Sequence, residues 1–413
     1  MVLLLINGVI GAGIFGLPSK AFKAIGIWSL PAFVLCAAAV FIIILCFAEV
    51  SSRFENTGGP YLYALHAFGQ LPAFLTGWLL LITRFITYAA LINLLVTYLS
   101  VYSQWFLQPH ARVITIIALT ALLTFINHIG IEDTTRFNNI MTMAKLTALG
   151  LFIIVGFFYV DFSRFTAVAF PGLQSMSSTI LLLIFSFGGF ESVLVNTGEM
   201  QEPGKNLPYA LLTATAIISG IYLFIQFVSI GTFPGLADSE KPLAEAAGIF
   251  MGRAGSVFIA TGAVLSITGT LNAIMLTGSR LPYAFSEQNH FPPLFSFIHA
   301  RFRTPTWSLL LFSSVTGVVA VFNSFVNAAT ISAITRVMIY GIVCFALLRL
   351  RKKMDKPATF TLPYGHFFSF SGIAIAMWLL AVSPYTNMRD VMIAMITGVL
   401  IFYTVRFYYS SKR

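Results

Sequence analysis

Charge is what this sequence has least of. Lys, Arg, Asp and Glu make up 9% of its 413 residues, where a soluble globular domain carries about 25%. That scarcity excludes a soluble protein. Cysteine is nearly absent too. Cys36, Cys46 and Cys344 all lie in apolar stretches, without ligand-like spacing and without the even number a disulfide framework needs. They read as small buried apolar residues. The six histidines, His66, His110, His128, His290, His299 and His366, show no metal-ligand spacing, so no metal or other cofactor is expected. No positively charged region precedes the first apolar run, and a cleaved signal peptide is not expected. Low-complexity segments and soluble domain boundaries are also missing. Nothing groups a nucleophile, a general base and a polar cleft, so an enzyme is not expected.

What the chain does have is apolar length. Hydrophobic residues make up 58% of it, and twelve helical spans of about 20 residues would use roughly 240 positions. Apolar runs separated by charged or Pro/Gly-rich breaks fall near 2–24, 29–52, 71–103, 111–128, 139–160, 175–200, 208–233, 254–285, 305–325, 328–349, 368–385 and 389–409. The reading is an all-α membrane protein of twelve transmembrane helices. The net charge of +10 orients such helices rather than binding nucleic acid. With the N-terminus inside, fourteen Lys and Arg fall on cytoplasmic segments and seven on outer ones, with Arg84, Lys145 and Arg336 within or beside spans. Both termini are therefore expected in the cytoplasm. The charge block at 349–356 supplies much of that margin and reads as a stop-transfer signal.

Two spans are unusual. The first carries GVIGAGIFGLP at 8–18, and the sixth carries FSFGGFES at 185–192. Neither a phosphate loop nor a dinucleotide fingerprint fits the first, because no Lys-Ser/Thr follows and no strand precedes. Helices opened at Gly11 to Gly13 and at Gly188-Gly189 would expose backbone N–H groups from one segment to a carboxylate, and carbonyls from the other to an ammonium. Close helix packing on small residues is the alternative reading of the same glycines. Under the first reading, Gly13→Val fills the space of a substrate carboxylate. Each unusual span opens a group of five, as an inverted repeat over 1–160 and 175–349 would require, with two additional helices over 368–409.

Phe185, Phe187, Phe190 and Ile14 would then form apolar walls, favouring neutral amino acids over arginine or glutamate. Glu191 is expensive as a lone charge in hydrocarbon and should be neutral, paired or facing water. Proton-sensitive gating and a structural role both stand for it. Glu49 can reach the membrane interface and reads as structural. Lys145 either snorkels to water on its long stem or places its ammonium where an ion-coupled carrier would hold sodium. Arg84 and Arg336 either pair with an acid in the bundle or reach a headgroup.

Taken together, these blocks resemble the amino acid-polyamine-organocation permease family, whose members share the leucine-transporter type of fold. The resemblance rests on GVIGAGIFGLP at 8–18, on FSFGGFES with GEMQEPGKNLPYAL at 185–211, and on 271–305; RFENTGGPYLYALHAFG at 53–69 and Lys145 support it. Glu199, Pro203, Asn206 and Pro208 match the family's Glu-x-x-x-Pro-x-x-Asn-x-Pro. The resemblance implies a five-plus-five inverted repeat with two additional C-terminal helices. It places the substrate at Ile10, Gly11, Ala12, Gly13 and Ile14 and at Phe185, Ser186, Phe187 and Gly188. Phe185 matches a gating aromatic, Glu191 a gating or proton-sensing acid, and Lys145 the basic residue that stands for sodium in some proton-coupled members. Family members carry a cytoplasmic segment before the first helix, whereas Met1 here stands almost inside it.

The expected activity is secondary active transport of amino acids by alternating access, coupled to protons, in a bacterial inner membrane or a plasma membrane. An exchanger is the alternative of the same class. A transport-inactive sensor or partner-binding subunit is the alternative of another class. The partners implied are an amino acid, protons and the bilayer, with oligomerisation left open.

Overall fold

The computed structural model describes residues 1–54, 58–130, 134–166, 168–195, 202–354 and 358–410, with the side chains of 134–141, 203 and 408–410 left aside. Every long element is a helix, as hydrocarbon demands of a chain that must satisfy its backbone internally. In order they are α1 (Val2–Val9), α2 (Ala12–Ile25), α3 (Ser29–Ser51), α4 (Gly59–Phe68), α5 (Gln70–Leu99), α6 (Pro109–Ile129), α7 (Thr134–Phe157) and α8 (Leu173–Phe187). They continue as α9 (Phe190–Val195), α10 (Pro203–Thr232), α11 (Pro242–Glu287), α12 (Thr306–Phe322), α13 (Phe325–Lys353), α14 (Gly365–Ala381) and α15 (Tyr385–Ser410). Among the described residues, seven helical stretches are long and apolar enough to cross a membrane, and shorter apolar helices accompany them. The protein is an all-α, multi-span membrane protein.

Proline sets several starts. Pro60, Pro109, Pro203 and Pro242 occupy the first turns of α4, α6, α10 and α11, where a missing N–H costs nothing. The stretch α11 is two helical pieces divided at Gly252, whose φ of +66° leaves the helical region, and the second piece resumes beside the start expected near 254.

The helices differ in what surrounds them. Of the most apolar stretch of α5, 89% is buried inside the protein, against 17% for α15. Consequently α5 is the central post, packed on α13, α11 and α12, and α15 is peripheral. A second packed group joins α10 to α3, and α8 to α2 and α3. The central cavity described below lies between these groups.

Glu49, read from the sequence as structural, is enclosed near the end of α3. It is fully buried and accepts hydrogen bonds from Arg53 (2.9 Å), Arg351 Nε (2.8 Å) and the Leu362 amide (3.0 Å). The end of α3 is thereby tied to the end of α13 and to the segment before α14.

Candidate functional site

The first span is broken one residue earlier than its glycines suggest. Ile10 turns extended (φ −70°, ψ 92°), Gly11 follows at φ −124°, ψ −144°, and the helix resumes at Ala12. Lys145 explains the position. Its buried ammonium donates to the carbonyls of Asn7 (2.8 Å) and Ile10 (2.7 Å), the groups a broken helix end leaves without partners. It does not snorkel to water. The N–H groups at the start of α2 are left at the break.

The second span breaks at the glycine pair. Gly188 is extended, and Gly189 has φ of +124°, a conformation open essentially to glycine. A Cβ on Gly189 would stand 2.2 Å from the Gly8 carbonyl oxygen, and one on Gly13 would stand 2.6 Å from Ser186 Cα. The two broken helices therefore touch backbone to backbone. Tyr222 of α10 fastens them: its hydroxyl lies 2.9 Å from the Ser186 carbonyl, to which it donates, and 3.4 Å from that of Val9. Sequence reasoning passed over Tyr222, and a phenol inside the apolar run of 215–230 was the signal available.

Glu191 is paired. Its carboxylate accepts from Arg336 of α13, from the Gly189 amide at 2.9 Å and from the Tyr340 hydroxyl at 3.3 Å. Arg336 also donates to Thr87 Oγ1 (3.1 Å) and Ser332 Oγ (3.2 Å). A charge network thus links α5, α9 and α13 beside the second break. Of the two readings open for Arg336, pairing with an acid is the one realised. Glu199 lies outside the described residues.

A cavity of about 230 Å³ opens where the breaks meet. Gly11, Ala12 and Gly13 line it from α2 and its cap, Phe185, Gly188 and Gly189 from the second span, and Thr270, Asn272 and Thr277 from α11 across from them. Arg84, Thr87 and Arg336 complete its polar side. Phe185 is 5% exposed and packs edge-on against Phe325.

Three expected wall residues are elsewhere. Phe187 packs against Tyr222, and Phe190 against Tyr340 and Phe47. Ile14 is fully buried outside the cavity lining. The physical reason is helical: the span breaks after Phe187 and restarts at Phe190, so the rings flanking the glycines turn into the bundle. Ile10 contributes its carbonyl to Lys145 rather than a side chain to the cavity, and the Ser186 hydroxyl is buried against Gly13. Gly13→Val is corrected likewise. Its side chain would meet Ser186 rather than a substrate, so this glycine serves the crossing of α2 and α8.

Residues 1–402 match the family model described as amino acid permease. The chain belongs to the amino acid permease family, within the amino acid-polyamine-organocation superfamily. The methylthioribose transporter of Bacillus subtilis (strain 168) is 28% identical, over 100% of this chain and 92% of that protein. The serine/threonine exchanger SteT of the same organism is 28% identical over 96% of this chain and 92% of its own length. The branched-chain amino acid permease BcaP, also from that organism, is 26% identical over 100% and 92%. This permease is accordingly a secondary transporter of small solutes across a membrane. Among its described residues, no group of His, Cys, Asp and Glu is placed to hold a metal ion.

Proposed function

We propose that this permease carries small α-amino acids by alternating access, with the substrate held where α2 begins and α8 ends. The observation that carries the reading is the meeting of two broken helices at one cavity. The first N–H groups of α2 suit a carboxylate, and the end of α8 offers peptide carbonyls to an ammonium. The spans formed by α1 with α2, α3, α8 with α9, and α10 would rock against a scaffold built on α5, α6, α7 and α11. In this reading 1–160 and 175–349 are the inverted repeats, 368–409 holds the two additional helices, and both termini face the cytoplasm of a bacterial inner membrane or a plasma membrane. Gly11, Ala12, Phe185 and Gly188 form the substrate side, with Phe185 as the gate.

Side-chain preference follows from charge. A cationic amino acid needs an acid in the site, and the carboxylate of Glu191 is already held by Arg336. Arginine-like substrates are disfavoured on that ground. The neutral preference expected from apolar walls loses Phe187, Phe190 and Ile14 as its basis.

Proton coupling is proposed at Lys145. The ammonium grips two carbonyls of α1, and a neutral amine would hold them less strongly, so deprotonation loosens the break. Glu191 acts as the latch between the second break and α13. The exchanger reading is kept because SteT, by its name an exchanger, is similar over nearly the whole chain. Proteoliposomes separate the readings. An inward proton gradient should raise uptake of alanine, serine or leucine into vesicles lacking internal substrate, and Lys145→Met should remove that stimulation while counterflow persists. Counterflow without any gradient effect in the unmodified protein would establish exchange, and saturable binding with neither flux would establish a sensor. Glu191→Gln tests the latch. A pH profile flattened by Glu191→Gln but not by Lys145→Met would move the coupling to the acid.

A further inference from the structure

Arg84 and Arg336 face the same cavity but are partnered very differently. Arg336 donates to a carboxylate and two hydroxyls. Arg84, on α5, is 8% exposed and makes no hydrogen bond or ion pair among the described residues, although Glu191 and Arg336 lie within electrostatic reach. Glu191 is held by other donors and makes no hydrogen bond to it. One carboxylate oxygen accepts from Arg336 and the other from the Gly189 amide and Tyr340. A guanidinium stays charged in any protein environment and carries five donors. One that lines a cavity without a protein acceptor is free to take one from whatever enters that space, which sets Arg84 apart from an arginine already paired within the bundle.

Its surroundings continue the theme. Arg84, Ser192 and Thr277 line both the central cavity and a second one of about 360 Å³, whose wall also includes Arg280 and Arg303. Among the described residues, no Asp or Glu lines either cavity. Taking Arg84 and Arg336 against Glu191 leaves a net positive charge at the central site, and the adjoining space adds two cations.

We infer that Arg84 is the specificity-determining residue of the cavity and receives a second carboxylate, making acidic α-amino acids of aspartate or glutamate size the substrates this permease favours. The inference rests on the proposed amino acid site and names its substrate class. The planar fork of Arg84 matches a carboxylate in two-point contact. An amide of the same shape gives only one acceptor and no charge, leaving the guanidinium uncompensated.

The test compares shape-matched pairs on the intact chain in proteoliposomes. Aspartate should half-saturate uptake at a concentration about tenfold or more below asparagine, and glutamate likewise below glutamine, because a polar site discriminates strongly against a ligand lacking the matching group. Arg84→Gln should collapse that acid-to-amide ratio by about tenfold or more, and Arg84→Lys should keep part of it. Amides binding as well as acids in the unmodified protein would overturn the inference, and that comparison stands even if the variants do not fold. A ratio unchanged in Arg84→Gln, with all four substrates weakened alike, would overturn it as well. If none of the twenty common amino acids competes or moves, the amino acid reading itself falls and this inference with it.

Discussion

At the scale of single residues, buried charges in this protein act on peptide groups as much as on each other. Lys145 donates to two carbonyls at the end of α1, where the first span opens. Glu191 and Arg336 form the complementary pair. Removing one partner of such a pair leaves a buried charge unmatched and costs about 3–5 kcal/mol. Arg336→Met is therefore expected to destabilise the protein by that amount in detergent unfolding, and Arg336→Met with Glu191→Gln by less than the sum of the single changes. Strict additivity would show that the ion pair seen here contributes no coupling. Tyr222→Phe removes a neutral donor from the Ser186 carbonyl and should cost about 1 kcal/mol, measured the same way.

At the scale of elements, glycines two residues apart do different work. Gly11 has nothing closer to its missing Cβ than Thr270 at 3.7 Å, whereas Gly13 would strike Ser186 at 2.6 Å. Gly11→Val is expected to leave the protein folded and monodisperse while abolishing uptake, since its side chain grows into the cavity. Gly13→Val is expected to lower the melting temperature and yield, since α2 and α8 cannot cross. The reverse pattern would relocate the substrate. Gly189→Ala faces two penalties, a φ of +124° and a Cβ 2.2 Å from the Gly8 oxygen. It should separate the two breaks and depress both stability and transport.

At the scale of the whole molecule, the clamp around Glu49 joins what the breaks divide. It links α3, which packs with α10 and α8, to α13, which packs with α5. Arg351→Met removes the arginine that holds both carboxylate oxygens and, with Arg53 still paired to Glu49, should cost less than the about 3–5 kcal/mol of an unpaired buried charge, read as a lowered melting temperature with the substrate's half-saturation unchanged. A changed half-saturation at unaltered stability would make the clamp a gate. Much of this architecture was legible beforehand. Hydropathy announced an all-α, multi-span membrane protein because hydrocarbon permits only helices and closed barrels, and the recurrence of Gly11, Gly13, Gly188 and Gly189 marked the two places where the backbone would open. The amino acid permease membership followed from the same blocks. What one-dimensional pattern could not carry was direction. Whether Phe187 and Phe190 faced a cavity or the bundle depended on the turn the chain takes at Gly188-Gly189, and whether Gly13 lined a site or a crossing depended on α8. The partner of Glu191 is 145 residues away and that of Lys145 more than 130, so only the packing of α13 and α7 against the breaks could choose them. Local composition determined that this chain spans a membrane and where its helices are weakest; the pairing of distant charges, decided by tertiary structure, left Arg84 facing the cavity and so gave the site its sign.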